Sequence, residues 1–380
     1  MRAHTVRRPS STIAAPPAGL RASLWRLAEA LATPLVPADY LDLFDPLREG
    51  ADLRGRIVDV VHETEDSATL TIQPGRGWRG HVPGQYIRIG IDVGGVRNWR
   101  AYSVTSPPHT PSARGRKDDA AITITVKAIE DGVVSNHIVR NVEPGALVML
   151  DQATGEFTLP ETAPTKVLFI TAGSGITPVV GMLRSRPDLT DVTHVHCAPT
   201  AAGVIFAAEL RGYGDSGRTN YIERHDDEHG MLELADLDEL VPDWRERAAW
   251  VCGPTGLLDA AEAHWAAHGL SDRLTVERFR PTIIEPGEGG AIQFLGMGTS
   301  NASVMVDADG ATPILDAGED AGLLLPSGCR MGICMGCIVT MRQGAVRDLR
   351  TGEITTAEPG DNLPIQTCVN AVAGSCELEL

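Results

Sequence analysis

The sequence predicts three consecutive domains: an antiparallel β-barrel, a doubly wound parallel α/β domain and a small α+β domain. Three observations support this fold class. Short β-branched segments separated by turn residues occupy the chain from Arg56 to Leu159. Strand-like and helix-like patterns then alternate from Lys166 onward, which is typical of a parallel sheet. Four of the seven cysteines lie between positions 329 and 368, in the last compact part of the chain.

The composition limits the class of protein. The chain has 380 residues, enough for two or three domains at about 100–200 residues each. Hydrophobic residues make up 43% and charged residues 22%, which excludes a wholly disordered, collagen-like or coiled-coil chain. The net charge of −17 argues against nucleic acid as a partner, because phosphate binding needs a basic surface. No secretory signal or uninterrupted apolar span is visible, so we expect a cytoplasmic monomer.

Residues 1–50 are predicted to form a basic tail and a short amphipathic helix. Up to Ala38 there are five arginines and one acidic residue. Apolar residues recur at helical spacing, and Pro34 and Pro37 end the run. The recurring residues are Leu20, Leu24, Leu27 and Leu31. We expect the helix to pack on its own protein; the alternative is a peripheral contact with a membrane surface or a partner.

The barrel is assigned to residues 51–160, where turn signals such as Pro74-Gly75 separate the strands. The predicted strands are Ile57–Val61, Thr69–Ile72, Tyr86–Ile91, Ile122–Val126 and Leu147–Leu150. One helix is predicted near Ser135–Val139. Closure into an antiparallel barrel is the simplest arrangement for such a series of strands.

The parallel α/β domain is assigned to residues 161–280, and its strands alternate with helices. The predicted pairs are Val167–Thr171 before Pro178–Arg184, Thr193–Cys197 before Val204–Arg211, and Ala248–Cys252 before Gly256–His268. Residues 281–290, rich in proline and glycine, are predicted to be a linker. The last domain, residues 291–380, has one predicted helix near Pro313–Ala321. It contains eleven acidic residues against four arginines.

The cysteines of the last domain have the spacing of an iron–sulfur site. Cys329, Cys334 and Cys337 form a C-x4-C-x2-C pattern, and Cys368 follows after thirty further residues. This is the plant-type pattern for [2Fe–2S] ligands. A zinc site is the main alternative, although zinc sites usually pair two short cysteine knuckles. The segment Pro326–Cys337 resembles the cluster loop of plant-type ferredoxins, and this resemblance implies a β-grasp fold for residues 291–380.

Two motifs in the barrel resemble the flavin site of the ferredoxin reductase family. Arg100-Ala101-Tyr102-Ser103 is similar to the family's R-x-Y-S motif. The resemblance implies that Arg100 binds the flavin phosphate, Tyr102 packs on the isoalloxazine and Ser103 lies near N5. Gly132-Val133-Val134-Ser135 resembles the pyrophosphate segment, which implies that Gly132, Val134 and Ser135 bind the cofactor. We expect amides at a helix N-terminus, with a hydroxyl at the cap, to hold the phosphates.

Three motifs of the second domain resemble the nicotinamide site of the same family. The loop Gly173–Pro178 follows a strand and opens a helix, and the resemblance implies that Gly173, Gly175 and Thr177 contact the nucleotide or flavin. Cys252-Gly253-Pro254 is similar to the family's C-G-P turn beside the nicotinamide ring. Glu277-Arg278-Phe279 resembles the family's terminal E-x-aromatic motif, and by this resemblance Phe279 is expected to cover the flavin until nicotinamide displaces it. By this resemblance the catalytic residues are Ser103, Cys252 and Phe279.

The family resemblance implies an NAD(P)H-dependent reductase that passes electrons through a flavin to a fused [2Fe–2S] ferredoxin. FAD is preferred over FMN by resemblance. NADPH is favoured by the same likeness, but residues 196–200 offer no arginine for a 2′-phosphate, so NADH stays open. The acceptor is expected to be a separate oxygenase or desaturase. Thr33–Tyr40 resembles actinobacterial reductases that serve membrane acyl-CoA desaturases. The alternatives are the reductase of an aromatic-ring or acyl-CoA oxygenase, and a slow redox-sensing protein.

Overall fold

The computed structural model describes residues 44–108, 121–130, 132–279, 287–297, 302–328, 330, 332 and 335–380. The predicted N-terminal helix, the stretch Thr33–Tyr40, residues 281–286 of the predicted linker, and two predicted cluster ligands, Cys329 and Cys334, lie outside these residues. Within the described part of the chain, no helix combines the length and the apolar character needed to cross a bilayer.

The first unit, here called the barrel domain, is a six-stranded antiparallel sheet. Its strands are β1 (Arg54–Thr64), β2 (Ser67–Pro74), β3 (Tyr86–Val93), β4 (Val96–Ser103), β5 (Ile122–Lys127) and β6 (Leu147–Leu150). Their order in the sheet is β4-β3-β6-β1-β2-β5. An antiparallel bridge between Val104 and Ile124 joins the two outer strands, so the sheet closes. This closure removes the exposed sheet edges.

Helix α1 (Val133–Asn141) covers the interior of the barrel domain. Its buried residues Val134 and Ile138 pack with the inward-facing isoleucines and leucines of the strands. The alternation of apolar and polar residues that predicts the strands corresponds to inward and outward positions, as on Ser67–Pro74. The predicted antiparallel barrel is therefore confirmed.

The second unit, the parallel-sheet domain, has five parallel strands with helices between them. The strands are β7 (Val167–Ala172), β8 (Val192–Ala198), β9 (Asn220–His225), β10 (Ala248–Cys252) and β11 (Leu274–Glu277), in the order β11-β10-β7-β8-β9. The helices are α2 (Ile176–Ser185), α3 (Ala207–Asp215), α4 (Asp226–His229), α5 (Leu237–Leu240) and α6 (Thr255–Ala267).

Two separate cores cover the two faces of this sheet, as the doubly wound prediction requires. Phe169 packs with α2 on one face, whereas Leu168 and Ile170 pack with α6 on the other. The chain leaves β7 toward β8 on one side, and β10 lies on its other side. Ligands of such folds bind where the carboxyl ends of the strands meet this switch in strand order.

The third unit, the C-terminal domain, is a mixed sheet with one helix. Its elements are β12 (Gly287–Met297), β13 (Ala302–Gly310), α7 (Ile314–Asp320), β14 (Ile338–Asp348), β15 (Ile354–Ala357), β16 (Leu363–Gln366) and β17 (Asn370–Glu379). Strands β12 and β17 are parallel, and the remaining pairs are antiparallel. Residues 287–290, predicted to belong to the linker, are instead part of β12. A bulge accommodates the glycines there, since Gly289 has a φ of 78°.

The barrel and parallel-sheet domains contact each other at helix α2. A Cβ atom on Gly181 would lie 2.5 Å from the carbonyl oxygen of Val104, so only glycine permits this approach. One turn later, Arg184 donates from Nη1 to the carbonyl oxygen of Thr105 at 2.9 Å. Both contacts involve the two residues that follow Ser103 at the end of β4. The barrel strand that carries the R-x-Y-S motif is thereby held against the helix that follows the glycine loop.

Candidate flavin, nicotinamide and iron–sulfur sites

The R-x-Y-S motif lies at the end of β4 and combines a cation with a partly buried phenol and a buried hydroxyl group. Ser103 is buried, and its Oγ has no hydrogen-bond partner among the described residues. Burial raises the pKa of Tyr102, so its phenol stays protonated. Burial, and then the nearby charge of Arg330, lower the pKa of Arg100. A buried hydroxyl without a partner is destabilising unless a ligand uses it, so this set fits a flavin with its phosphate.

Helix α1 packs on β5, β3 and β2 and begins at the predicted pyrophosphate segment. Gly132 is the N-cap residue, and no side chain caps the helix. The expectation of a hydroxyl at the cap is therefore wrong: Ser135 lies in the first turn, where its Oγ donates to the carbonyl oxygen of Gly132. Val134 is buried through its side chain, so only its backbone can face a ligand. The first-turn amides of α1 still suit an anion.

The glycine loop after β7 and the C-G-P turn after β10 are brought together. A Cβ atom on Gly175 would lie 2.1 Å from the carbonyl oxygen of Cys252. A Cβ atom on Gly253 would lie 3.1 Å from the Cβ atom of Ala172. Thr177 is buried and donates from Oγ1 to the carbonyl oxygen of Ser174 at 3.0 Å, which fixes the loop. The two motifs form one surface at the carboxyl edge of the sheet, where a nucleotide would bind.

Cys252 has a buried carboxyl group beside it that the sequence-based site did not include. In the sheet, Cys252 of β10 is paired with Glu277 of β11. Burial raises the pKa of Glu277 to about 8, and its Oε2 lacks a hydrogen-bond partner in the described part of the chain. Burial, followed by the charge of Glu277, raises the pKa of Cys252, so the thiol is neutral. A perturbed carboxyl group in such a place is a candidate functional residue.

Phe279 follows this strand by two residues. It is 37% exposed, which is high for a phenylalanine. An aromatic side chain that is not buried can lie on a flat ligand, so its position agrees with the predicted role, which stays a prediction.

An arginine of the cluster loop of the C-terminal domain interacts electrostatically with Arg100, the predicted ligand of the flavin phosphate. Arg330 donates to Asp316 at 2.8 Å and forms an ion pair with Glu319, both on α7. The same three groups contribute to the electrostatic environment of Arg100. The charges of these three residues in the C-terminal domain therefore act on Arg100 in the barrel domain.

Two of the four predicted iron ligands lie in the described residues and face each other. The Sγ atoms of Cys337 and Cys368 are 3.1 Å apart, and both side chains are buried. Thr367 donates twice to the carbonyl oxygen of Cys337, from its amide and from its hydroxyl. This arrangement holds the two sulfurs next to each other, which suits thiolate ligation of iron.

Comparisons with known proteins identify the types of domain in the chain. Residues 57–159 match the family model of the oxidoreductase FAD-binding domain, and residues 299–372 match that of the 2Fe-2S iron-sulfur cluster binding domain. The NADPH oxidoreductase of Mycobacterium tuberculosis is 48% identical over 94% of this chain and 92% of its own length. The glycine betaine monooxygenase reductase subunit of Chromohalobacter salexigens is 28% identical, covering 82% of this chain and 91% of its own.

A solved structure shows the same fold. Phthalate dioxygenase reductase superposes with a TM-score of 0.58 at 20% identity, covering 86% of this chain and 97% of its own. The predicted three-domain fold class is confirmed by this match. The cofactors are FAD and a [2Fe–2S] cluster, with NAD(P)H as the reductant. The chain therefore belongs to the family of ferredoxin-reductase-type NAD(P)H oxidoreductases that carry FAD and a C-terminal [2Fe–2S] ferredoxin domain.

Proposed function

We propose that this protein transfers electrons from NADPH through FAD and the [2Fe–2S] cluster to a separate oxygenase or desaturase. The observation that carries the proposal is the meeting of three motifs from two domains, at Ser103, Gly175 and Cys252. The end of β4 is held against α2, and the glycine loop before α2 touches Cys252. When bound, FAD accepts a hydride from the nicotinamide and releases electrons singly to the cluster.

Each residue of this site has a defined part in the proposal. Arg100 binds the flavin phosphate, and Ser103 donates a hydrogen bond to the flavin ring through its otherwise unpartnered Oγ. Cys252 and Glu277 form the neutral, water-excluding wall on the nicotinamide side, because burial keeps both groups protonated near neutral pH. Phe279 covers the flavin in the absence of nucleotide and excludes water from it.

The cluster ligands in this proposal are Cys329, Cys334, Cys337 and Cys368. The test is Cys337→Ser, which should abolish NADPH-dependent reduction of cytochrome c and leave ferricyanide reduction by the flavin intact. Cys376→Ser is the matched control, since Cys376 is also a buried cysteine of the C-terminal domain but lies outside the spacing pattern. Loss of both activities in Cys337→Ser would contradict the electron order. Slow cytochrome c reduction by the unmodified protein would favour the alternative of a redox sensor.

The choice of NADPH is supported by an arginine on a strand beside β8. Arg224 lies next to Cys197 in the pairing of β8 and β9, near the carboxyl edge where the adenosine end of a nucleotide lies. Its Nε is buried and unpartnered with respect to the described residues. Its Nη2 donates to the carbonyl oxygen of His229 at 3.4 Å and lies 3.6 Å from the nearest carboxylate oxygen, on Asp236. A 2′-phosphate would satisfy this guanidinium, which supplies the cation that residues 196–200 lack.

The nucleotide preference is tested by comparing kcat/KM for NADPH and NADH in Arg224→Gln. We expect the NADPH value to fall by about tenfold to a hundredfold, the range for losing a charged hydrogen bond of about 1.5–3 kcal/mol, with little change for NADH. Arg211→Gln is the control, because Arg211 is an exposed arginine paired with Glu223. An equal loss for both nucleotides would mean that Arg224 does not contact the 2′-phosphate.

The acceptor is proposed from the charge of the C-terminal domain and from the relatives. Eleven acidic residues against four arginines in residues 291–380 suit a basic patch on the acceptor. The glycine betaine monooxygenase reductase subunit gives a precedent for an oxygenase acceptor. The desaturase rests on the resemblance at Thr33–Tyr40. The test measures the rate at which this protein reduces a purified oxygenase and a purified desaturase. We expect reduction, with a rate that falls as ionic strength rises. A salt-independent rate would rule out electrostatic steering.

A further inference from the structure

Arg350 places a permanent positive charge against the cluster loop. It lies two residues beyond β14, and its guanidinium binds Asp348 with two hydrogen bonds, of 2.6 Å from Nη2 and 3.1 Å from Nε. The remaining nitrogen, Nη1, donates to the carbonyl oxygen of Gly332 at 3.3 Å. Gly332 lies between the predicted ligands Cys329 and Cys334 in the sequence. The guanidinium thus bridges a strand end and the cluster loop.

The contact between Arg350 and the loop is close. Gly332 has a φ of 75°, and a Cβ atom there would lie 2.3 Å from Nη1 of Arg350. Gln366 donates to the same carbonyl oxygen at 2.9 Å. Two side chains therefore fix this carbonyl, and no side chain at position 332 separates the guanidinium from the loop.

The charge of the same guanidinium interacts with the two described ligand sulfurs. The pKa of Arg350 is raised first by its hydrogen bond to Asp348, with additional contributions from the sulfurs of Cys368 and Cys337. Both sulfurs are buried, so water screens this interaction poorly. The carboxylate of Asp348 binds this guanidinium, and 19% of its side chain is exposed against 34% for Arg350. A cation and a partly compensating anion therefore act on the cluster position together.

We propose that Arg350 raises the reduction potential of the [2Fe–2S] cluster and that Asp348 partly cancels this effect. One electron from the flavin converts one ferric ion to ferrous, with no bond broken, and adds one negative charge to a site already bearing thiolates. A neighbouring cation stabilises the reduced form more than the oxidised form, whereas an anion does the reverse. The pair thus shifts the equilibrium for electron transfer from the flavin to the cluster.

The test is the midpoint potential of the cluster in the holoenzyme, measured by an EPR-monitored redox titration. In Arg350→Gln we expect the potential to fall, by about 30 mV for a threefold change in the one-electron equilibrium at 59 mV per tenfold. In Asp348→Asn we expect it to rise. Arg350→Lys, which keeps the charge, should stay close to the unmodified protein. Arg342→Gln, which removes a cation of β14 that is paired with Glu379 of β17, should leave the potential unchanged.

The opposite signs of the two main variants separate an electrostatic role from a structural one. If the loop only became less ordered, the midpoint potentials of Arg350→Gln and Asp348→Asn would shift in the same direction, and that result would overturn the proposal. An unchanged potential in Arg350→Gln would also overturn it. If Arg350→Gln loses iron, the test uses the midpoint potential of Asp348→Asn instead. A potential that is unchanged or lower than in the unmodified protein overturns the proposal. The inference rests on Cys337 and Cys368 as ligands; a complete cluster signal in Cys337→Ser would instead refute that assignment.

Discussion

Gly175 lies in backbone contact with Cys252, because a Cβ atom on Gly175 would be 2.1 Å from the carbonyl oxygen of Cys252. The two residues are far apart in the sequence, but β7 and β10 are neighbouring parallel strands, so their carboxyl ends meet. The contact joins the glycine loop to the C-G-P turn. It also places Thr177 and Cys252 at the carboxyl edge of the same sheet.

The substitution Gly175→Ala should therefore displace the nicotinamide site. A methyl group cannot be accommodated at 2.1 Å from a backbone oxygen, so the loop must move. Because small misplacements of reacting groups are costly, we expect the rate of flavin reduction by NADPH to fall by about tenfold to a hundredfold. Stopped-flow absorbance of the flavin measures this rate. Gly256→Ala is the control, since its Cβ atom meets open space. Equal rates in the two variants would contradict the expected role of the contact.

Ser103→Ala tests the hydroxyl that has no partner in the described part of the structure. If Ser103 hydrogen-bonds the flavin ring, its removal should slow flavin reduction by about a hundredfold, while the bound FAD content stays unchanged. Ser185→Ala is a matched control, because Ser185 donates to the carbonyl oxygen of Gly181 within α2. If Ser103→Ala loses FAD but the remaining bound flavin is reduced at an unchanged rate, Ser103 has a role in cofactor binding alone.

The strands of the sheets differed in how well the sequence predicted them. Segments with buried β-branched residues, such as Val167–Ala172, were located correctly. The sequence pattern does not predict β9 (Asn220–His225), because most of its residues are partly exposed and four of its six are polar or charged. Such a strand is stabilised by pairing with β8, which no local pattern shows.

The candidate site was predictable where a motif is contiguous and not where it depends on strand order. The residues of the R-x-Y-S and C-G-P motifs are adjacent in the sequence. Glu277 gains its raised pKa, and Arg224 its place near β8, only because β11 and β9 flank the other strands. The hydroxyl of Ser135 was assigned to the cap because residue type does not reveal which residue of a segment begins the helix.

Gly181→Ala should destabilise the contact between the barrel and parallel-sheet domains. Replacing glycine with alanine inside a helix usually stabilises it by about 1 kcal/mol. At Gly181, however, the Cβ atom would lie 2.5 Å from the carbonyl oxygen of Val104, and such overpacking costs about 1–3 kcal/mol. We expect a lower Tm for Gly181→Ala. The control, Gly212→Ala, lies in α3 with open space around it and should leave Tm unchanged or raise it. A higher Tm for Gly181→Ala than for Gly212→Ala would contradict the close approach of Gly181 to the carbonyl oxygen of Val104.

Glu277 should make stability depend on pH in a defined window. Burial raises the pKa of this carboxyl group from 4.5 to about 8. Between these values the folded protein keeps a proton that the unfolded chain has lost, so stability falls as pH rises through the window and levels off above about 8. Glu277→Gln removes the ionisation, and its Tm should exceed that of the unmodified protein by an amount that grows from pH 5 to pH 8. Glu262→Gln removes an ion-paired carboxylate of α6 and serves as the control. A difference in Tm that does not change with pH, or the same growing difference in Glu262→Gln, would show that Glu277 is not held protonated in the folded protein.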